Sequence, residues 1–355
     1  MELICTRPGC PRPAANVFPD LSDRSVLKTV SQKFCTACGM PLILGGQYLP
    51  QRLLGKGGFG AAYYAVNRYS PTLRPCVVKL FQPDGDLSPD QLELAQRLFE
   101  GEAIALEELG NAHRQIPDLL AYFSLEVGSM QPGKQQELFY LVQEYIDGQS
   151  LEQEQAQRGA FSEGEALEVL EKVLPILQFV HERGSIHRDI KPSNIMRDRQ
   201  GQMYLLDFGA VKQVTQSAAG ATPKASTGIY SMGYAPTEQM QGGRVYPATD
   251  LYALGVTILV LLTHQEPEAL FDSFQSRWSF DCDPPISQGL QLVLARMLEA
   301  KPSDRFDSAA QVLKALALIR GRGAAVPPPL SQAQNQAQNQ AQNQAQPQSP
   351  PVSVA

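Results

Sequence analysis

The feature that most constrains this chain is a change in its apolar period near residue 148. Between about residues 48 and 146 the apolar residues come in short β-type runs. These are "YLPQRLLG", "AAYYAVNRY", "CVVKLF", "LLAYFSLEV" and "LFYLVQEYI", broken by Gly, Pro or Asp. From about 150 to 320 they recur at helical spacing, in "EGEALEVLEKVLPILQFVHERG", "DLYALGVTILVLLTH", "GLQLVLARMLEA" and "DSAAQVLKALALI". Strands first and helices afterwards predict an α+β fold. One helix interrupts the β-rich half, in "LSPDQLELAQRLFEGEAIALEELG". Ser88 can cap it, Pro89 suits its first turn, Gln91 completes a capping box and Gly110 ends it. Pro175 is expected to bend the first helix of the second half, because it removes a backbone donor.

Two flanking regions differ from this body. Residues 1–46 are rich in Pro and Cys, and residues 322–355 hold "PPP" and "AQNQAQNQAQNQAQ". That polar four-residue period has almost nothing apolar to bury, so the tail is expected to be disordered. The chain thus divides into a head (1–46), a strand-rich lobe (47–148), a helical lobe (149–321) and the tail. A net charge of −6, with no basic stripe, argues against nucleic acid as a partner. The start, "MELICTRPGC", lacks the cationic and apolar stretches of a signal peptide, and "LYALGVTILVLL" is too short to span a bilayer. A soluble, cytoplasmic protein with mostly reduced cysteines is the expectation.

The chemistry lies in motifs of fixed order. "GKGGFG" brings Gly55, Lys56, Gly57, Gly58, Phe59 and Gly60 into a strand–turn–strand. Without Cβ atoms such a turn can lie close over phosphates and offer its N–H groups, although a glycine hairpin is often only a turn. Lys79 ends "CVVK", where a cation can neutralise nucleotide phosphates or simply sit on an edge strand. In "HRDIKPSN", Asp189 can accept a proton from an attacking hydroxyl and Lys191 can steady a transferring phosphoryl group. Asn194 can hold Mg²⁺ through its amide oxygen. Thirteen residues later "LLDFGA" adds Asp207 as an anionic metal ligand, with Phe208 packing beneath it.

With these motifs in this order, together with "APTE", "DLYALG" and "SDRF", the chain resembles the eukaryotic-type protein kinases over about residues 48–320. "KPSN" resembles the Ser/Thr-specific members. The cysteine-rich head, "LLAYF" and "LVQEYIDGQSL" look like the cyanobacterial branch of these kinases. The resemblance implies a two-lobed kinase fold, ATP and Mg²⁺, and Ser/Thr hydroxyls of proteins as substrates. It implies that Glu102 partners Lys79, with Glu100, Glu107 and Glu108 as rivals. It places Gln143 as gatekeeper and the backbones of Glu144 and Ile146 at the adenine edge. Asp250 would hold the catalytic loop, His187 would support the backbone around Asp207, and Glu238 would pair with Arg305.

Three departures stand out. Ala62 replaces the usual Val or Thr, "APTE" carries one residue more than "APE", and Ser231 stands where a Thr is usual. Thr215, Ser217, Thr222, Ser226 and Thr227 lie in the segment that would be activated by autophosphorylation, with Ser226 or Thr227 favoured and Arg188 as phosphate partner. Two rivals remain. A pseudokinase scaffold would lack a catalytic part, and a small-molecule kinase would lack the "APE"-like anchor and the long segment before it.

Cys5, Cys10, Cys35 and Cys38 form C-x4-C and C-x2-C-G pairs, enough thiolates for one tetrahedral Zn²⁺. Forty-six residues are too few to bury a core alone, so a staple is expected. A zinc-ribbon-like head is the first reading. A thiol–disulfide switch and a mobile, metal-free head are the others.

Overall fold

In a computed structural model the described residues are 1–57, 60–83, 88–129, 133, 135–209, 212–213 and 231–321. Gly58, Phe59, the hydroxyl residues from Thr215 to Thr227 and the tail lie outside them. The head begins with a short antiparallel pair, β1 (Glu2–Leu3) and β2 (Asn16–Val17), and a short helix α1 (Arg24–Thr29). Asp23 caps that helix by accepting from the Ser25 N–H. A Phe34–Pro41 bridge then folds the second cysteine pair into a turn.

Five strands follow: β3 (Tyr48–Gly57), β4 (Gly60–Asn67), β5 (Pro75–Phe81), β6 (Leu119–Gly128) and β7 (Gln135–Glu144). They form one antiparallel sheet in the order β3-β4-β5-β7-β6. Between β5 and β6 runs α2 (Pro89–Leu109), with Ser88 and Gln91 forming the capping box and Gly110 at the C-cap, as its sequence predicts. Side chains alternate between sheet faces, and each face has its own cover. Tyr140 and Val142 face the head, in a core with Leu3, Leu27, Met40 and Leu44. Leu141 faces the other way, with Phe81, Phe99 and Leu106, and joins the core of the helical lobe. The head is therefore a second layer on the sheet. Its Ile4 N–H donates to the Pro50 carbonyl at 2.8 Å, and the buried Thr6 and Tyr140 hydroxyls meet at 2.8 Å.

The helical lobe opens with β8 (Gly148–Ser150), α3 (Leu151–Arg158) and α4 (Glu163–Glu182), which runs through Pro175. Ser162 and Glu165 box the start of α4. Short strands β9 (Ser185–Ile186), β10 (Ile195–Asp198), β11 (Met203–Leu205) and β12 (Lys212–Gln213) pair as β11-β10-β8 and β12-β9. The loops between these strands carry the two acidic motifs. Next come α5 (Thr237–Met240), α6 (Pro247–Thr263), α7 (Pro267–Leu270) and a small hairpin, β13 (Phe271–Asp272) and β14 (Arg277–Trp278). Helices α8 (Gln288–Met297) and α9 (Ala309–Gly321) close the lobe. Helix α6 is buried almost all round, which explains its apolar run. No helix among the described residues is long and apolar enough to cross a membrane.

Candidate active site

A cleft of about 1100 Å³ lies between the sheet and the helical lobe. Gly55, Lys56, Gly57 and Gly60 roof it from β3 and β4. Gly60 has to be glycine: its φ is 154°, and a Cβ there would stand 1.9 Å from the Leu80 carbonyl oxygen. Ala62 lines the same roof, in register with Lys79.

Lys79 forms an ion pair with Glu102 of α2, and its Nζ lies 3.7 Å from Asp207 Oδ1. Glu102 is selected by helical phase. It shares the inward face with Phe99 and Leu106, whereas Glu100, Glu107 and Glu108 are exposed. Burial alone would lower the Lys79 pKa, but the carboxylates of Glu102 and Asp207 outweigh it and push it up. Lys79 is therefore cationic at any working pH. The same cation holds the Asp207 carboxyl below its ordinary range, so that group is anionic at neutral pH.

Four side chains converge below. Asp189 Oδ1 accepts from Ser231 Oγ at 2.7 Å, and Oδ2 accepts from Asn194 Nδ2 at 2.9 Å and lies 3.0 Å from Lys191 Nζ. Lys191 also donates to Ser231 Oγ at 2.7 Å, so serine does here what a threonine hydroxyl would do. Asn194 Nδ2 also donates to the Asp189 carbonyl at 2.8 Å, which turns its amide oxygen away from Asp189. Two residues at the site, Arg188 (φ 70°) and Asp207 (φ 64°), hold left-handed backbone. Such conformations are disfavoured for these residues and persist only where the surroundings impose them.

Those surroundings are visible. Asp250 of α6, fully buried, accepts from the N–H groups of His187 and Arg188, both at 2.8 Å, and pairs with His181 Nε2 at 2.8 Å. Burial would raise the Asp250 pKa, but these donors and the nearby histidines hold it below the usual carboxylate range. His187 Nε2 donates to the Leu206 carbonyl at 3.0 Å, and its ring meets Phe208 edge-on at 4.7 Å. Burial keeps its pKa below 6.5, so the ring is neutral at pH 7 and supports the backbone next to Asp207. The extra residue in "APTE" is absorbed locally: Glu238 still reaches Arg305, at 2.7 and 3.2 Å. Three contributors escaped the sequence reading. Gln239 donates to the Arg188 carbonyl at 2.7 Å, Thr249 donates to Glu238 at 3.0 Å, and His181 completes the Asp250 site. No motif marks them; only their nearness to Glu238, Asp250 and the end of α4 could have drawn attention.

Gln143, Glu144 and Ile146 line the cleft where β7 leaves the sheet. Away from it, the four head cysteines bring their Sγ atoms within 4.8 Å of one another. Cys5–Cys38 and Cys10–Cys35 are 3.6 and 3.7 Å apart. A disulfide needs about 2.05 Å. A tetrahedron of bonds of about 2.3 Å sets sulfurs about 3.8 Å apart. All four are free thiols at metal-ligand spacing.

The protein kinase domain family matches residues 48–316. Serine/threonine-protein kinase F of Synechocystis sp. is 56% identical over 92% of this chain and 66% of its own length. Serine/threonine-protein kinase B of the same organism is 38% identical over 88% of this chain and 51% of its own. Serine/threonine-protein kinase PknA of Nostoc sp. is 36% identical over 79% of this chain and 48% of its own. The chain thus spans between about half and two thirds of the length of these relatives. The cleft, the ordered motifs and these matches agree: the chain belongs to the protein kinase family.

Proposed function

We propose that the chain transfers the γ-phosphoryl group of ATP to Ser or Thr hydroxyls of proteins. The observation that carries this reading is the arrangement around Asp189. Its carboxylate is aimed by Asn194, Lys191 and Ser231 on the floor of a cleft whose far wall holds the Lys79–Glu102 pair and Asp207. Asp189 orients the attacking hydroxyl and takes its proton. Lys79 neutralises the phosphates of the nucleotide, and Lys191 offsets charge on the transferring group. The roof glycines Gly55, Gly57 and Gly60 leave room for backbone N–H groups to approach phosphates; Gly58 and Phe59 belong to the same sequence motif and lie outside the described residues. The carboxylate of Asp207 and the amide oxygen of Asn194 are hard oxygen donors that suit Mg²⁺, whose part is to screen phosphate charge. Glu144 and Ile146 would meet the base through their backbones. The relatives' names favour Ser/Thr over Tyr. A scaffold without activity would need a missing group, and none is missing from this set.

The test is ATP-dependent labelling of a protein substrate by the wild type and by Asp207→Ala and Asp189→Asn. Asp189→Asn is expected to lower kcat about 10²–10⁴-fold. Equal labelling by all three overturns the reading. Activation by autophosphorylation at Ser226 or Thr227 belongs to the same proposal, with phosphopeptide mapping after incubation with ATP as its test. For the head we propose a structural Zn²⁺ held by Cys5, Cys10, Cys35 and Cys38, on the strength of the four-sulfur spacing. Metal analysis of the purified protein should give about one Zn²⁺ per chain, falling in Cys35→Ser. No zinc, with two disulfides instead, would favour the redox switch.

A further inference from the structure

Arg188 is the strained link of the loop that carries Asp189. Its φ of 70° is disfavoured for a residue with a side chain, so the two peptides that meet at it have to be held from outside. Asp250 holds the first by accepting from the Arg188 N–H at 2.8 Å. The second joins Arg188 to Asp189 and is gripped at both ends. Its N–H, on Asp189, donates to His187 Nδ1 at 3.3 Å. That nitrogen is free to accept because His187 donates through Nε2 to the Leu206 carbonyl. Its carbonyl, on Arg188, accepts from Gln239 Nε2 at 2.7 Å.

Gln239 is 2% exposed and follows Glu238 in α5. Consecutive helical residues diverge by about 100°, so Glu238 can reach Arg305 while Gln239 reaches the loop. The Glu238–Arg305 pair, and the Gln239 N–H bond to the Pro236 carbonyl at 3.0 Å, fix the short helix that aims the amide. An apolar side chain would fill the same buried space but would take this donor from the Arg188 carbonyl. Packing alone does not account for a glutamine there; the hydrogen bond does.

We propose that Gln239 is a positioning residue for phosphoryl transfer: by holding the Arg188 carbonyl it fixes the plane of the Arg188–Asp189 peptide, and with it the aim of the Asp189 carboxylate. This rests on the reading of Asp189 as the group that orients and deprotonates the attacking hydroxyl. Without the Gln239 amide, Arg188 can relax from its left-handed conformation by turning that peptide. The Asp189 side chain starts at the far end of the same plane. Its carboxylate then swings from the point where Asn194, Lys191 and Ser231 meet it. A misplacement of about 1 Å at a reacting group costs up to about a hundredfold in rate. The Lys79–Glu102 pair and the glycine roof stand on other elements, so nucleotide affinity does not pass through this peptide.

The experiment is a double-mutant cycle in the full chain, with Mg²⁺, labelled ATP and a library of Ser- and Thr-centred peptides as phosphoacceptor. Gln239→Leu is expected to lower kcat about ten- to a hundredfold, with KM for ATP changed less than about twofold. Gln239→Glu keeps the shape but sets an acceptor against the carbonyl, and should fall at least as far. In the Asp189→Asn background the aim of that carboxylate no longer matters. There Gln239→Leu should cost less than about threefold more. Thermal melts verify folding, and Gln239→Met repeats the cycle if the leucine variant does not fold. Wild-type kcat in the apolar variant, a loss carried by KM for ATP, or the full loss repeated in the Asp189→Asn background overturns the proposal. Asp189→Asn at wild-type kcat, or a wild type that labels no peptide, overturns the reading of Asp189 itself and this inference with it.

Discussion

Arg305 is 1% exposed, and it spends its guanidinium on both oxygens of Glu238 and on the carbonyls of Ala248, Glu299 and Ala300. A buried cation survives only when each of its donors is answered, and here the answers come from three parts of the helical lobe: Glu238, Ala248 and the adjacent Glu299 and Ala300. Removing it leaves the Glu238 carboxylate with only the Thr249 hydroxyl and takes a donor from each carbonyl. Arg305→Ala is expected to cost about 3–5 kcal/mol in denaturant unfolding. A loss under about 1 kcal/mol would mean the pair is no anchor. The motif residues were legible because their neighbours are close in sequence: Asp189, Lys191 and Asn194 lie within one short loop. The Gln239 bond to Arg188 and the Thr6–Tyr140 contact were not. Each depends on where a distant element comes to rest, and the last joins residues 134 positions apart.

At the scale of elements, α2 and α6 show how local rules place the groups that line and support the cleft. The α2 boundaries were readable from capping chemistry alone, and its phase chose Glu102 over three neighbouring acids. Helix α6 gave a different signal, since an apolar run says "buried" without saying against what. Its one carboxylate, Asp250, turns that helix into the support of the loop that carries Asp189 by gathering three donors. Asp250→Asn keeps the size but offers one acceptor oxygen where three donors converge. We expect kcat to fall more than KM for ATP rises, because the loop, not the roof of the cleft, loses its frame. Equal changes in both would assign Asp250 to nucleotide binding instead. The left-handed Arg188 is held by this helix through its N–H, as is the neighbouring His187. The short elements α3, α7 and β13–β14 were invisible in sequence, because two to eight residues of mixed polarity set no period.

Across the whole molecule, the head and the sheet share one core, so they should respond together. Arg7 donates to the Gly128 carbonyl at 2.7 Å, and Arg68 donates to the Val30 carbonyl at 2.6 Å, tying the two at both ends. The small size of residues 1–46 led to the expectation of a staple; it could not say that these residues share a core with the sheet. If Zn²⁺ fixes the four-cysteine turn, stripping it with a chelator should loosen the face of the sheet that carries Tyr63, Val78 and Tyr140. Amide exchange in β5 and β7 is then expected to accelerate on chelation, while exchange in α6 stays unchanged. Acceleration confined to residues 1–46 would show that the head is an appendage after all.

That shared core also sets an order of events during synthesis. The four cysteines leave the ribosome before the strand bearing Tyr140, which shares their core and comes about a hundred residues later. At about 5–20 residues per second the thiols wait on the order of ten seconds without their packing surface. The four-cysteine layer of this protein is thus made well before the surface on which it settles.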